Sequence, residues 1–314
     1  MTVLHFFESI RSPFGDAFFG ILTYLGDEIG MLAIALLFFW CLDKRSGYYL
    51  FLVGFIGTLC NQFLKLVFRV DRPWVAHPDF TPVGSAIEAA TGYSFPSGHT
   101  QASVGLFGGI ALIAKKKLLR SGCILLAVLV PLSRLYLGVH YPADVIFSAA
   151  LALLLLFVLR PLVAPDRPRR MFLLLGAVTL LSFAYLLFVL LYVFPSDTDP
   201  QNLSSGLKNA YTLLGVLLGL DLVYLLDATC LPISTSAPLP GQILKYTVGL
   251  LLTLGVKEGL RAPLTALFGA GPQNLVRYFL LVIFAGILFP RFFPLFAHIG
   301  NSPADAPDAN VPDP

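Results

Sequence analysis

Long apolar runs recur along this chain and decide what it can fold into. They lie at 47–69, 98–114, 119–137, 142–160, 171–194, 209–230, 242–256 and 275–297, with a shorter one at 29–42. A hydrocarbon core of ~30 Å takes ~20 helical residues to cross, close to the length of most of these runs. The chain is 57% hydrophobic and only 12% charged, against about 25% charged in soluble domains. A water-soluble fold of 314 residues has too little interior to hide so much apolar surface. The sequence therefore predicts an all-α, polytopic transmembrane helix bundle.

The stretches between the runs set the organisation. Residues 2–25 carry Phe6, Phe7, Phe14, Phe18 and Phe19 with Glu8, Arg11 and Asp16 among them, the pattern of helices lying at the membrane interface. The start has no basic segment, and Glu8, Arg11 and Pro13 break its first apolar stretch, so a cleaved signal peptide is not expected. The run at 29–42 is short for a crossing and is expected to begin before the acidic pair Asp27-Glu28. Residues 70–97 form the longest interruption in the first half. Arg160-Pro161 through Arg169-Arg170 reads as a boundary between a first part, 1–160, and a second, 171–298. In the second part, 195–207 reads as a polar, acidic loop and 231–241 as a proline-rich one, and a short half-helix is expected at 262–269. The tail, 299–314, is rich in Pro, Asp and Ala and is expected to be disordered. Cys41, Cys60, Cys123 and Cys230 lie far apart in apolar segments and read as packing thiols.

Charge predicts orientation. If the first five runs alternate, the loops at 43–46, 115–120 and 160–170 share one side. They hold Lys44, Arg45, Lys115, Lys116, Lys117, Arg120, Arg160, Arg167, Arg169 and Arg170, and the positive-inside rule makes that side cytoplasmic. Lys257 and Arg261 fit less well; they require either a re-entrant run or burial of their charges in protein. An integral multi-pass protein of the plasma (inner) membrane is expected. No basic stripe suits nucleic acid.

Three polar stretches sit where apolar runs begin or end: Lys65 to Arg72-Pro73, Pro96-Ser97-Gly98-His99, and Ser133-Arg134 to His140 and Asp144. Alternation of the spans brings them to one face, the extracytoplasmic one. Lys65, Arg72 and Arg134 are cations at a membrane edge, costly there without a partner. A phosphate is such a partner, since guanidinium forks match its oxygens and lysine adds a point charge. Ser97 is placed to cap a helix, and Gly98 lets backbone N–H groups approach an anion. The spacing of His140 and Asp144, with Pro142 suited to a first helical turn, places both on one helix face. Asp144 would then hold one ring nitrogen and leave the other as a nucleophile or base. His99, from another helix end, would protonate a leaving oxygen.

The three motifs together resemble the type 2 phosphatidic acid phosphatase superfamily of membrane lipid phosphatases, over roughly residues 25–160. The resemblance implies a phosphatase core of about five to six helices, leaving about four additional C-terminal transmembrane helices outside it. It implies a phosphohistidine on His140 oriented by Asp144, His99 as general acid, and a phosphate pocket made by Lys65, Arg72, Ser97, Gly98 and Arg134. It implies no metal or other cofactor. Soluble vanadate-dependent haloperoxidases share this site, but the spans argue against that use.

The expected function is hydrolysis of a lipid phosphomonoester or diphosphate outside the cytoplasm. A phosphotransferase using the same site is the alternative, and a transporter or scaffold with a relic site is a third reading. Phosphatidic acid, phosphatidylglycerol phosphate, a polyprenyl diphosphate and a sphingoid phosphate all fit as substrates. Residues 171–297 would shape a lipid-access groove, support a homo-oligomer or serve a separate role. Within them Asp221 and Asp227 are either functional intramembrane acids or, the reading preferred, carboxylates that pack helices or lie near the interface.

Overall fold

The computed structural model describes residues 1–87, 90–163, 168–229 and 234–299. Cys230, Pro232 and its neighbours at 231 and 233, the centre of the arginine-proline boundary at 164–167 and the tail from 300 lie outside them. The described residues are helical with no strand. Two short helices, α1 (Thr2–Ser9) and α2 (Pro13–Thr23), come first. α3 (Glu28–Leu37) continues through a π-helical turn, Phe38–Leu42. Then come α4 (Lys44–Phe68), the one-turn α5 (Pro73–Ala76), α6 (Gly98–Ile113), α7 (Lys117–Tyr136) and α8 (Pro142–Leu159). The second part has α9 (Pro168–Leu191), α10 (Pro200–Thr229), α11 (Leu239–Gly259), α12 (Arg261–Phe268), α13 (Gln273–Ile283) and α14 (Phe293–Ala297).

Among the described residues seven helical segments are long and apolar enough to cross a bilayer. α2 and α3 make an eighth only if joined across a 54° bend. α6 has 16 residues, about 24 Å at 1.5 Å each, and packs among α4, α7 and α8 at the centre of the first part. Local chemistry sets several ends. The Asp43 carboxylate caps α4 by accepting from the Arg45 and Ser46 N–H groups. Pro142 and Pro200 stand at the first positions of α8 and α10, where a missing N–H costs nothing.

The second part lies along α4. At one end the Asp199 N–H donates to the Tyr93 hydroxyl at 3.2 Å. At the other, Lys44 Nζ meets Asp227 Oδ1 at 2.7 Å. Trp40 Nε1 donates across the two parts to the Ala285 carbonyl at 2.9 Å, and the Asp221 carboxylate accepts from the Thr179 hydroxyl at 2.8 Å. Both aspartates thus join helix to helix, which is the packing reading.

Two expectations need correction. Residues 200–207 are helix rather than loop; a proline start followed by polar residues reads as a loop by composition but is a sound N-terminus. Of the two alternatives for Lys257 and Arg261, burial in protein fails for Arg261, while Lys257 is part-buried. The Arg261 side chain is 70% exposed, and both cations stand beside Glu258, at 3.6 and 4.0 Å. Carboxylate pairing relieves the charge instead. The half-helix expected at 262–269 is α12. Cys41, Cys60 and Cys123 are free thiols.

Candidate active site

The ends of α4, α6, α7 and α8 that carry the three motifs meet at one end of the bundle. α4 delivers Lys65 in its last turn and stops at Arg69, which takes a left-handed conformation with φ 46°. The chain then turns sharply enough to aim Arg72 back at the bundle. Arg72 is only 6% exposed. Its Nε donates to the Gly92 carbonyl at 3.0 Å and its Nη2 to the Thr91 carbonyl at 2.7 Å. Its Nη1 donates to the Val139 carbonyl at 2.8 Å and lies 3.0 Å from His140 Nε2. Lys65 is buried too, and its ammonium donates to the Tyr93 carbonyl. The segment 91–93 is therefore a frame of carbonyls that fixes two cations.

α6 begins at Gly98. Ser97 caps it, its hydroxyl accepting from the Thr100 N–H at 3.4 Å, while its own N–H donates to Ser148 Oγ at 2.8 Å. The backbone N–H of Ser97 is thus spent inside the protein, and what remains for an anion is its hydroxyl hydrogen and the N–H groups that follow. A side chain at Gly98 would meet nothing within 4 Å, so open space stands before that helix start. His99 follows on the same turn, its backbone against Gly26 at the end of the N-terminal helices.

Arg134 comes from the last turn of α7 and is fully buried. Its Nη1 donates to Thr23 Oγ1 at 2.5 Å. Its Nε and Nη2 are buried without a hydrogen-bond partner. A desolvated guanidinium is thus left with its Nε and Nη2 unpaired, an arrangement costly in itself and suited to an incoming oxyanion.

His140 is 2% exposed and sits one residue before α8's cap. Its Nδ1 lies 3.3 Å from Asp144 Oδ2. The same oxygen accepts from the Ser94 hydroxyl at 2.6 Å and from the Tyr141 N–H at 2.9 Å. Arginine has no acceptor, so the ring nitrogen beside Arg72 must present its lone pair, and the proton belongs on Nδ1. Burial first, then the charges of Arg72, Arg134 and Lys65, hold the His140 pKa well below its ordinary value. Burial first, then the same three cations, also hold the His99 pKa below its ordinary value.

Every candidate named from the sequence thus lies at this end: Lys65, Arg72, Ser97, Gly98, His99, Arg134, His140 and Asp144. Sequence reasoning missed Ser94, which shares Asp144 with His140, and Thr23, which anchors Arg134. It also missed the carbonyls of Thr91, Gly92 and Tyr93. Ser94 and Thr23 carry no spacing signal, since both are brought in by loop and helix packing. Among the described residues, no group of three or more His, Cys, Asp or Glu side chains is placed to hold a metal ion.

The sequence model of the PAP2 superfamily matches residues 46–168, and that of the PAP2 superfamily phosphatase transmembrane extension matches 211–300. The chain is similar to phosphatidylglycerophosphatase B of Bacillus subtilis, 30% identical over 48% of this chain and 76% of that protein. It is similar to a lipid A 4'-phosphatase of Bacteroides thetaiotaomicron, 30% identical over 47% of this chain and 69% of the relative. It is also similar to undecaprenyl-diphosphatase BcrC of Bacillus subtilis, 30% identical over 40% of this chain, and it spans 64% of that relative's length. No solved structure matches the chain.

Proposed function

The chain belongs to the PAP2 superfamily, and on that premise we propose that it is an integral membrane phosphatase hydrolysing a lipid phosphomonoester or diphosphate. The observation that carries this reading is an imbalance of buried charge. Lys65, Arg72 and Arg134 are all buried, and the carboxylate among them, Asp144, is committed to His140, Ser94 and the Tyr141 N–H. Buried cations without counter-charge are costly, and a dianionic phosphoryl group supplies that charge.

The chemistry follows from the tautomer. His140 Nε2 attacks phosphorus; the P–N bond forms as the P–O bond to the lipid breaks. With the phosphoryl dianion bound against the three cations, His99 holds a proton and gives it to the departing oxygen. Asp144 stays ionised and stabilises the imidazolium side of the phosphohistidine through Nδ1–H. A water then gives its proton to His99 and attacks phosphorus, the P–N bond breaks, and phosphate leaves. Arg72, Arg134 and Lys65 bind the equatorial oxygens, whose charge is the main thing a protein can stabilise in phosphoryl transfer.

Basic residues cluster at the opposite end of the first part, on Lys44, Arg45 and 115–117, which favours an extracytoplasmic site in the plasma (inner) membrane. The relatives' names span a polyprenyl diphosphate, a phosphatidylglycerol phosphate and lipid A, which share a phosphate terminus on a hydrocarbon anchor. A phosphate-release screen of purified protein across phosphatidic acid, phosphatidylglycerol phosphate, a polyprenyl diphosphate and a sphingoid phosphate tests the reading. At least one should turn over, and His140→Ala should lose about a thousandfold or more, as loss of a nucleophile does. Unchanged hydrolysis by His140→Ala would sink the mechanism. Labelling of Asp79→Cys by an impermeant thiol reagent on intact cells tests the face.

A further inference from the structure

Two voids lie in line along α4, and together they have the polarity of a lipid. The upper one is a crevice of about 30 Å³ beside Lys65, room for about two waters at ~10–15 Å³ each. α4 gives it Gln62 and Lys65, and α10 gives Asn202, Ser205 and Asn209. The lower one is a cavity of about 280 Å³ between α3, α4, α10, α11 and α13, near the lower end of the ~300–1,000 Å³ usual for small-ligand sites. α4 lines it with Thr58, Phe55 and Phe51, and α10 with Thr212, Val216 and Leu220.

The register is continuous on both helices. Thr58 lies two turns below Lys65 on the same face of α4, about 10 Å along the axis at 1.5 Å per residue. On α10 the residues lining the two voids succeed one another at three- and four-residue steps, so one stripe faces α4 from Asn202 to Leu220. Along that stripe polarity changes over about two turns, from Asn209 through Thr212 to Val216. The lower cavity is partly open, and its lining includes Ile29 of α3 and Leu254 of α11, 56% and 47% exposed, with Lys257 one turn beyond Leu254.

We propose that this cavity, between the phosphatase core and its C-terminal extension, receives a hydrocarbon chain of the substrate whose phosphoryl group sits at Lys65, Arg72 and Arg134. The inference rests on the lipid phosphatase reading and adds the chain site to it. A chain reaching down from Lys65 passes the polar crevice first and enters the apolar cavity below, so the seam orients an amphipathic molecule. The extension then acts as one wall of the substrate site.

The test compares long- and short-chain forms of one lipid phosphate in detergent, with wild type, Val216→Trp and Thr212→Phe. One methylene in an apolar pocket is worth roughly 10–200-fold in kcat/KM. Filling the cavity should therefore cut the long-to-short selectivity at least about tenfold. A ratio within about twofold of wild type in both folded variants overturns the proposal. A second arm needs no substitution. A long-chain lipid phosphate with a mid-chain diazirine should label α10 or α13 of wild type, and excess phosphatidylcholine should not compete. Labelling confined to α7 and α8, or diluted equally by phosphatidylcholine, overturns it, the latter marking a bystander lipid. If wild type releases phosphate from neither chain length, the phosphatase reading fails by itself, and the labelling pattern reports on the cavity separately.

Discussion

Arg72 Nη1 stands 3.0 Å from His140 Nε2, a cation donating to the nitrogen that the proposed chemistry uses as nucleophile. Burial disfavours a proton on this ring and the Arg72 charge adds to the effect, so the His140 pKa lies well below the ordinary 6.5. In the unfolded chain the same ring takes up a proton near that ordinary value. Below about pH 6.5 the unfolded state therefore binds more protons, and stability falls as pH drops, by up to about 1.4 kcal/mol per pH unit from this group. Above that pH the group adds no slope. Activity follows the same sign: the acid limb of kcat/KM should lie below 6.5, and in Arg72→Gln it should move upward toward 6.5. Residual activity of that variant, profiled against pH, is the measurement. An unmoved limb would separate Arg72 from the ionisation of His140.

Arg134 has one N–H on Thr23 and two others buried and bare. A lysine at this position keeps the charge and loses the planar fork. Hydrogen bonds to charged groups are worth about 1.5–3 kcal/mol. Arg134→Lys should accordingly cost about tenfold to a hundredfold in kcat/KM, at one decade per 1.36 kcal/mol. Thr23→Val removes only the anchor and should cost less. Near-normal turnover by Arg134→Lys would remove the fork from phosphate binding.

Asp144 Oδ2 collects Ser94 Oγ, His140 Nδ1 and the Tyr141 N–H within 3.3 Å. Asp144→Asn would offer an amide that can turn an NH₂ toward the ring and favour the wrong tautomer, a change worth about 10⁴ in a comparable histidine-carboxylate pair. Ser94→Ala takes away one of three donors and should cost about tenfold to a hundredfold, the 1.5–3 kcal/mol of a charged hydrogen bond. Both should leave binding of inorganic vanadate measurable, since the three cations remain. Comparing kcat with vanadate affinity checks whether these residues position the nucleophile or simply hold the pocket.

Much of this architecture was legible in the sequence, because hydrocarbon thickness makes span length a strong signal. The expected runs at 98–114, 119–137 and 142–160 correspond to α6, α7 and α8. Residues 200–207 were misread because polar composition says loop, whereas a surface-exposed helix start tolerates the same residues. The motif residues could be named because their types and spacings carry chemistry. Ser94, Thr23 and the 91–93 carbonyls could not, since a loop's path decides which of its many polar groups point inward. The same holds for the α4–α10 seam: its residues alternate with helical period, but only packing tells which neighbour each stripe faces.

Packing of the extension depends on a close approach that one methyl group would break. A Cβ at Gly215 of α10 would lie 2.2 Å from the Leu275 carbonyl oxygen. That atom belongs to backbone at the start of α13 and cannot swing aside, so Gly215→Ala must push the helices apart. Overpacking of this kind costs typically about 1–3 kcal/mol. Gly255 in α11 is also helical, and a Cβ there would meet nothing within 4 Å. Gly255→Ala keeps every contact and removes helix-breaking freedom, worth about 0.5–1 kcal/mol in favour of the fold. The two variants should therefore move thermal stability in detergent in opposite directions, Gly215→Ala downward and Gly255→Ala upward. Because the α10–α13 contact holds one wall of the apolar cavity, Gly215→Ala should also weaken turnover of long-chain substrate more than that of short-chain substrate. A Gly215→Ala protein as stable as wild type would mean that α10 and α13 do not meet at this point.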